Sequence, residues 1–124
     1  MALELKIGKG KTQVQIETHQ YSDGLTIIIY GGDKPHIGAV ALSIPRQSLR
    51  DKKVISCSTS LLTITGHKDD VIAKEMTEAV CKGIKKTVVV VAGVHIDRAT
   101  SEDIKKVMSN CRKASKKLVE LFNI

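Results

Sequence analysis

The sequence predicts an α+β fold: an antiparallel meander of four strands followed by α-β-α, with the helices packed on one face of a mostly antiparallel sheet. Three observations lead there. The first half of the chain alternates apolar and polar residues with the period of strands. Two later stretches repeat apolar residues at helical spacing. Between those stretches lies an unbroken β-branched run, Thr87 to Ala92. The 124 residues suit one domain spanning 1–124, long enough to bury roughly two thirds of the surface of the unfolded chain.

The elements follow in order. From Lys11 to Gln20, Val14 and Ile16 face one way and Gln13, Gln15 and Glu17 the other. Ser22-Asp23-Gly24 then turns the chain into a second strand, Leu25 to Tyr30. Gly31-Gly32-Asp33-Lys34-Pro35 breaks that strand, a third runs from Ile37 to Ile44, and a fourth from about Val54 to Thr65. Ile72, Met76, Ala79, Val80, Gly83 and Ile84 mark a first helix opening near His67 to Asp70. The run Thr87 to Ala92 suits a strand buried on both faces, hence one inside the sheet. Thr100-Ser101-Glu102-Asp103 resembles a capping box with Asp in the place of Glu, and Ile104, Val107, Met108, Cys111, Ser115, Leu118 and Phe122 continue the second helix.

Composition narrows the function classes. No apolar run approaches the roughly 20 residues of a membrane span, and the opening Met-Ala-Leu-Glu-Leu-Lys lacks the features of a secretory signal. A cytoplasmic protein is expected. Cys57, Cys81 and Cys111 are odd in number and contain no Cys-x-x-Cys pair, which points to core thiols rather than disulfides or a sulfur-ligated metal. A net charge of +7 favours anionic partners. With only Tyr21, Tyr30 and Phe122 to stack on bases, nucleic acid is disfavoured among them. The basic stripe Lys105, Lys106, Arg112, Lys113, Lys116 and Lys117 reads as a solvated helix face.

Three of the four histidines sit at the ends of apolar runs, in Gly31-Gly32-Asp33-Lys34-Pro35-His36-Ile37-Gly38, Gly66-His67-Lys68-Asp69-Asp70 and Gly93-Val94-His95-Ile96-Asp97. Strand direction predicts that all three come to one end of the sheet. His36 marks the end where the second strand stops, the fourth strand returns to it, and the strand after the first helix runs parallel to the fourth. Gly66, His67 and Lys68 would stand at the start of the first helix, where free N–H groups favour an anion. Lys34, Lys68 and Arg98 would supply countercharge, Gly31, Gly32, Gly38 and Gly93 would allow close approach, and Ser56-Cys57-Ser58-Thr59-Ser60 would add hydroxyls along the wall. Asp69 and Asp70 serve equally well as favourable charges at a helix N-terminus.

Other chemistries fit less well. Three imidazoles and Asp97 would suit a divalent metal by ligand type, but the spacing matches no compact motif such as His-Glu-x-x-His, so no metal is expected. A hydrolase would need a nucleophile with its base, and no Gly-x-Ser-x-Gly elbow is present. Acid–base work by His95 with Asp97 is compatible with the composition, although alternation in an extended segment argues against direct contact within that pair.

The same three segments, with Ala39-Val40-Ala41-Leu42 after the first and Leu62-Thr63-Ile64-Thr65 before the second, resemble the LpdD-like prenylated flavin chaperone domain. The resemblance runs more loosely from about Gly8 to Phe122. That family is associated with the small accessory subunit of gallate-type decarboxylases. Membership would imply a non-catalytic protein that helps a UbiD-like decarboxylase acquire or mature prenylated FMN, held transiently. It would place Lys34, His36, Gly66, His67, Lys68, His95, Asp97 and Arg98 at the cofactor-handling edge, with Lys68 and Arg98 near phosphate. The element order is also similar to small proteasome assembly chaperones. That likeness supports an alternative, an oligomeric assembly factor with no small-molecule ligand; a small metal- or phosphate-dependent enzyme using the histidine edge is a third. A homodimer is expected, since sheet edges invite pairing.

Overall fold

The computed structural model describes residues 2–64 and 68–123. Strands β1 (Ala2–Ile7), β2 (Val14–Tyr21), β3 (Gly24–Gly32), β4 (Ala39–Gln47) and β5 (Ile55–Thr63) precede helix α1 (Asp69–Ile84), strand β6 (Thr87–His95) and helix α2 (Ser101–Phe122). The α+β class is as the sequence predicts. One six-stranded sheet in the order β1-β2-β3-β6-β4-β5 carries both helices on one face. All neighbours pair antiparallel except β3 with β6.

Alternation decides which face is covered. On β3 the residues Leu25, Ile27 and Ile29 are buried, as are Val88, Val90 and Ala92 on β6 and Ala39 and Ala41 on β4. Against them lie Ile72, Met76, Val80 and Cys81 of α1 and Val107, Cys111, Ala114 and Leu118 of α2. The interleaved set Ile28, Val40, Leu42, Ile44, Leu62, Val89 and Val91 points to the other face, which no helix covers. The α2 capping box forms as read: Asp103 N–H donates to Thr100 Oγ1 (3.1 Å) and Thr100 N–H to Asp103 Oδ2 (3.0 Å).

Two expectations need correction. The strand β1 was absent from the expected order, yet it pairs with β2 along its whole length, from Ala2 opposite His19 to Ile7 opposite Val14. The four strands expected as a meander are split, because β6 lies between β3 and β4 and bonds to both. The physical reason is the β-branched run itself. A strand apolar on both sides is best placed with bonded neighbours on both edges. The connection 33–38 can admit it, because six residues easily span the roughly 10 Å between strands two positions apart.

Candidate functional site

That crossover builds the site. Residues 33–38 step across the C-terminal end of β6, held there by backbone bonds from Asp33 N–H to His95 O (2.7 Å) and from Gly38 N–H to Ala92 O (2.9 Å). The His36 carbonyl sits directly on Gly93, so that a Cβ at 93 would overlap it. A Cβ at Gly38 would likewise overlap the Asp69 carboxylate. Both glycines therefore exist for close passage of neighbouring atoms.

Two imidazoles meet at this end, with ring centres 5.6 Å apart. Each is held by a carboxylate: His36 Nε2 lies 2.8 Å from Asp69 Oδ2, and His95 Nε2 lies 3.0 Å from Asp97 Oδ1. An ionised carboxylate only accepts, so in these pairs Nε2–H is the donor. Asp69 is 2% exposed, and its second oxygen accepts the Val94 N–H at 2.8 Å. Its buried charge is thus offset by two hydrogen bonds and by its place in the first turn of α1. The Asp97 N–H donates to Asp33 Oδ2 (2.9 Å), and Lys34 Nζ stands 3.8 Å from Asp97 Oδ2 in a solvent-exposed pair. Geometrically this is a chain of groups, Asp69, His36, His95, Asp97, Lys34, along one sheet end.

Lys34, His36, His95 and Asp97 thus come together. The direct contact of His95 with Asp97 corrects the sequence argument against it: β6 ends at His95 and the chain turns at Asp97 and Arg98, which brings the carboxylate to the imidazole. Arg98 follows immediately, with its backbone in the left-handed region (φ 54°). Lys68, the residue before α1, lies on the helix-covered side. It lines an apolar pocket of about 100 Å³ with Asp69, Ile72, Val94, Ile96 and Met108. Gly66 and His67 lie outside the described residues. The serine-rich strand does not reach the site. Thr59 donates to Glu78 Oε2 and meets Ser43 Oγ, both at 2.8 Å, while Ser58 Oγ accepts from Arg46. Asp33, Asp69 and Tyr30 are among the site residues that the sequence reading left out. Among the described residues, no group of three or more His, Cys, Asp or Glu side chains is arranged to hold a metal ion.

On the uncovered face beside His36 lies a shallow depression of about 280 Å³, lined by Ile28, Tyr30, Pro35, Ile37, Val91 and Gly93. One of the chain's three aromatic rings, Tyr30, is therefore at the site. Its hydroxyl is 3.4 Å from Gln15 Oε1, and its pKa is raised, foremost by a hydrogen bond to Glu17.

Residues 8–123 match the prenylated flavin chaperone LpdD-like domain, and the chain belongs to that family. No curated protein sequence matches it. Among solved structures it is similar to a chain in the crystal structure of a chaperone complex for yeast 20S proteasome assembly. The TM-score is 0.58 at 13% identity, covering 98% of this chain and 93% of that one. At that identity the likeness is one of fold.

Proposed function

We propose that this chain is a non-catalytic accessory protein that helps a UbiD-like decarboxylase acquire or mature prenylated FMN, its 124 residues acting as one LpdD-like domain. Family membership over residues 8–123 carries the reading. The donor set at the sheet end fits such a cofactor in kind. An apolar wall of Ile28, Ile37 and Val91 with the Tyr30 ring suits a ring system, and the two oriented imidazoles suit its polar edge. Lys34 and Arg98 would offer cationic partners to a phosphate, and His67 and Lys68 belong to the proposed edge by sequence.

In this reading the protein's own residues orient and shield; the reactive chemistry belongs to the flavin once it sits in the decarboxylase. His36 is held rigid by Asp69, and the exposed Lys34 and Asp97 remain adjustable, as suits transient rather than permanent holding. No helix among the described residues is long and apolar enough to cross a membrane, and work beside a soluble enzyme in the cytoplasm is part of the proposal.

The test is transfer. Apo-decarboxylase supplied with prenylated FMN should gain activity faster with this chain present than with a His36→Ala/His95→Ala variant of unchanged fold. Equal activation with and without the wild-type chain would sink the accessory role. Equal activation by wild type and variant would sink the site.

A further inference from the structure

Helix α2 carries its charge in a way that serves neither the helix nor simple solvation. Lys105, Lys106, Arg112, Lys113, Lys116 and Lys117 are all exposed, and at helical spacing they fall within an arc of about 140° and a length of about 18 Å. No acidic residue lies between Asp103 and Glu120. Among the described residues only Arg112 of the six has a carboxylate partner, Glu75 Oε1 at 3.3 Å. Arg112 and Lys116, like Lys113 and Lys117, stand four residues apart, where like charges destabilise a helix. The last turn, where the helix dipole favours a cation, has none. Helix α1 shows the contrast: Lys74, Glu78 and Lys82 alternate in sign at four-residue spacing, the pattern of a solvated face.

Such a strip is complementary to an acidic surface, and its two ends narrow the kind. A nucleic-acid backbone is negative throughout, and along α2 it would meet Glu102 and Glu120, which lie on the same arc about 27 Å apart. No aromatic ring shares the arc to stack on bases. A bilayer surface would take up apolar side chains beside the cations, but Val107, Cys111, Ala114 and Leu118 are buried in the core. A protein surface can set carboxylates against the six cations and other groups against the two glutamates. The first turn of α2 is tied to the histidine end of the sheet: Asp103 Oδ2 pairs with Lys11 Nζ at 3.2 Å, just before Val14, the partner of Gly31. A protein lying along α2 therefore has one end beside the imidazoles. We propose that the outer face of α2 docks an acidic strip of another protein, which in the accessory reading, on which this inference rests, is the decarboxylase.

The test is surface plasmon resonance of the full chain over immobilised UbiD-like apo-decarboxylase. Wild type should bind, and more weakly as salt rises. Lys113→Gln/Lys116→Gln/Lys117→Gln should raise the dissociation constant about tenfold or more with circular dichroism unchanged, since glutamine suits a helix as well as lysine does. Arg50→Gln/Lys52→Gln/Lys53→Gln removes the same charge from exposed positions in the β4–β5 loop and should bind as wild type does. If the α2 variant loses its circular dichroism, Lys105→Gln/Lys106→Gln is judged in its place and should still weaken binding. Calorimetric binding of prenylated FMN should be the same for wild type and the α2 variant, whose changes lie away from the sheet end. Decarboxylase binding that ignores the α2 variant, or that the loop variant weakens as much, overturns this inference alone. So does an α2 strip whose loss abolishes binding to duplex RNA but not to the decarboxylase. A wild type that does not bind the decarboxylase at any salt overturns the inference and the accessory reading together.

Discussion

Replacing Asp69 by Ala should be among the most damaging single changes to this protein. The carboxylate is 2% exposed and makes two 2.8 Å hydrogen bonds, one to His36 Nε2 and one to the Val94 N–H. Truncation leaves the Val94 N–H and the imidazole without that acceptor in a nearly water-free place. Charge-assisted bonds contribute about 1.5–3 kcal/mol each, and removing one partner of a buried pair costs about 3–5 kcal/mol. For a domain of this length that loss lowers the midpoint of thermal unfolding by about 12–20 °C. Asp69→Asn keeps an oxygen for Val94 but turns an amide N–H toward Nε2, forcing the other imidazole tautomer, and should cost about half as much. Urea unfolding followed by circular dichroism measures both. A double-mutant cycle with His36→Ala should give a coupling above about 1 kcal/mol. A loss below about 1 kcal/mol for Asp69→Ala would refute the view that this carboxylate pins the crossover to α1.

Other outcomes follow from the same structure. Gly93→Ala should destabilise by at least about 2 kcal/mol in urea, because its Cβ overlaps backbone that the crossover holds in place. Thr100→Ala should cost about 1 kcal/mol through loss of the α2 cap. Asp103, held below the ordinary carboxylate value mainly by the Thr100 backbone N–H and further by Lys11, adds stability that is present above that ordinary value. It is lost as pH falls through the lowered one, so acid titration of unfolding should show a shallower fall in stability for Asp103→Asn than for wild type. Burial pushes the Cys111 thiol up to about 12 and Cys81 up to about 11. A thiol reagent at pH 8 should therefore modify the partly exposed Cys57 first and reach the other two only on unfolding.

Most of the architecture was legible because its signals are local. Helical periodicity located α1 and α2, and the capping box at Thr100 formed with the shorter acid at the fourth position. The strand β1 was legible too. Leu3, Leu5 and Ile7 alternate with Glu4 and Lys6, but the stretch is only six residues long and its alternation is brief. The order of strands was less accessible. The run from Thr87 to Ala92 announced an interior strand, yet nothing local says that it enters between β3 and β4 rather than between another pair of strands. The convergence of His36 and His95 survived that error, since it depended on strand direction, which the insertion does not alter. What could not be read was Asp69. Its sequence context offers two equivalent acids, and only the three-dimensional passage of Gly38 over α1 makes Asp69 the buried partner while Asp70 is half-buried.

The central claim, a cofactor-handling sheet end, is tested most directly by calorimetric titration of the chain with prenylated FMN, using unmodified FMN and inorganic phosphate as competitors. Wild type should bind saturably, and His36→Ala/His95→Ala, with its circular dichroism intact, should bind at least tenfold more weakly. Absence of binding to wild type, or equal binding by the variant, would contradict the account.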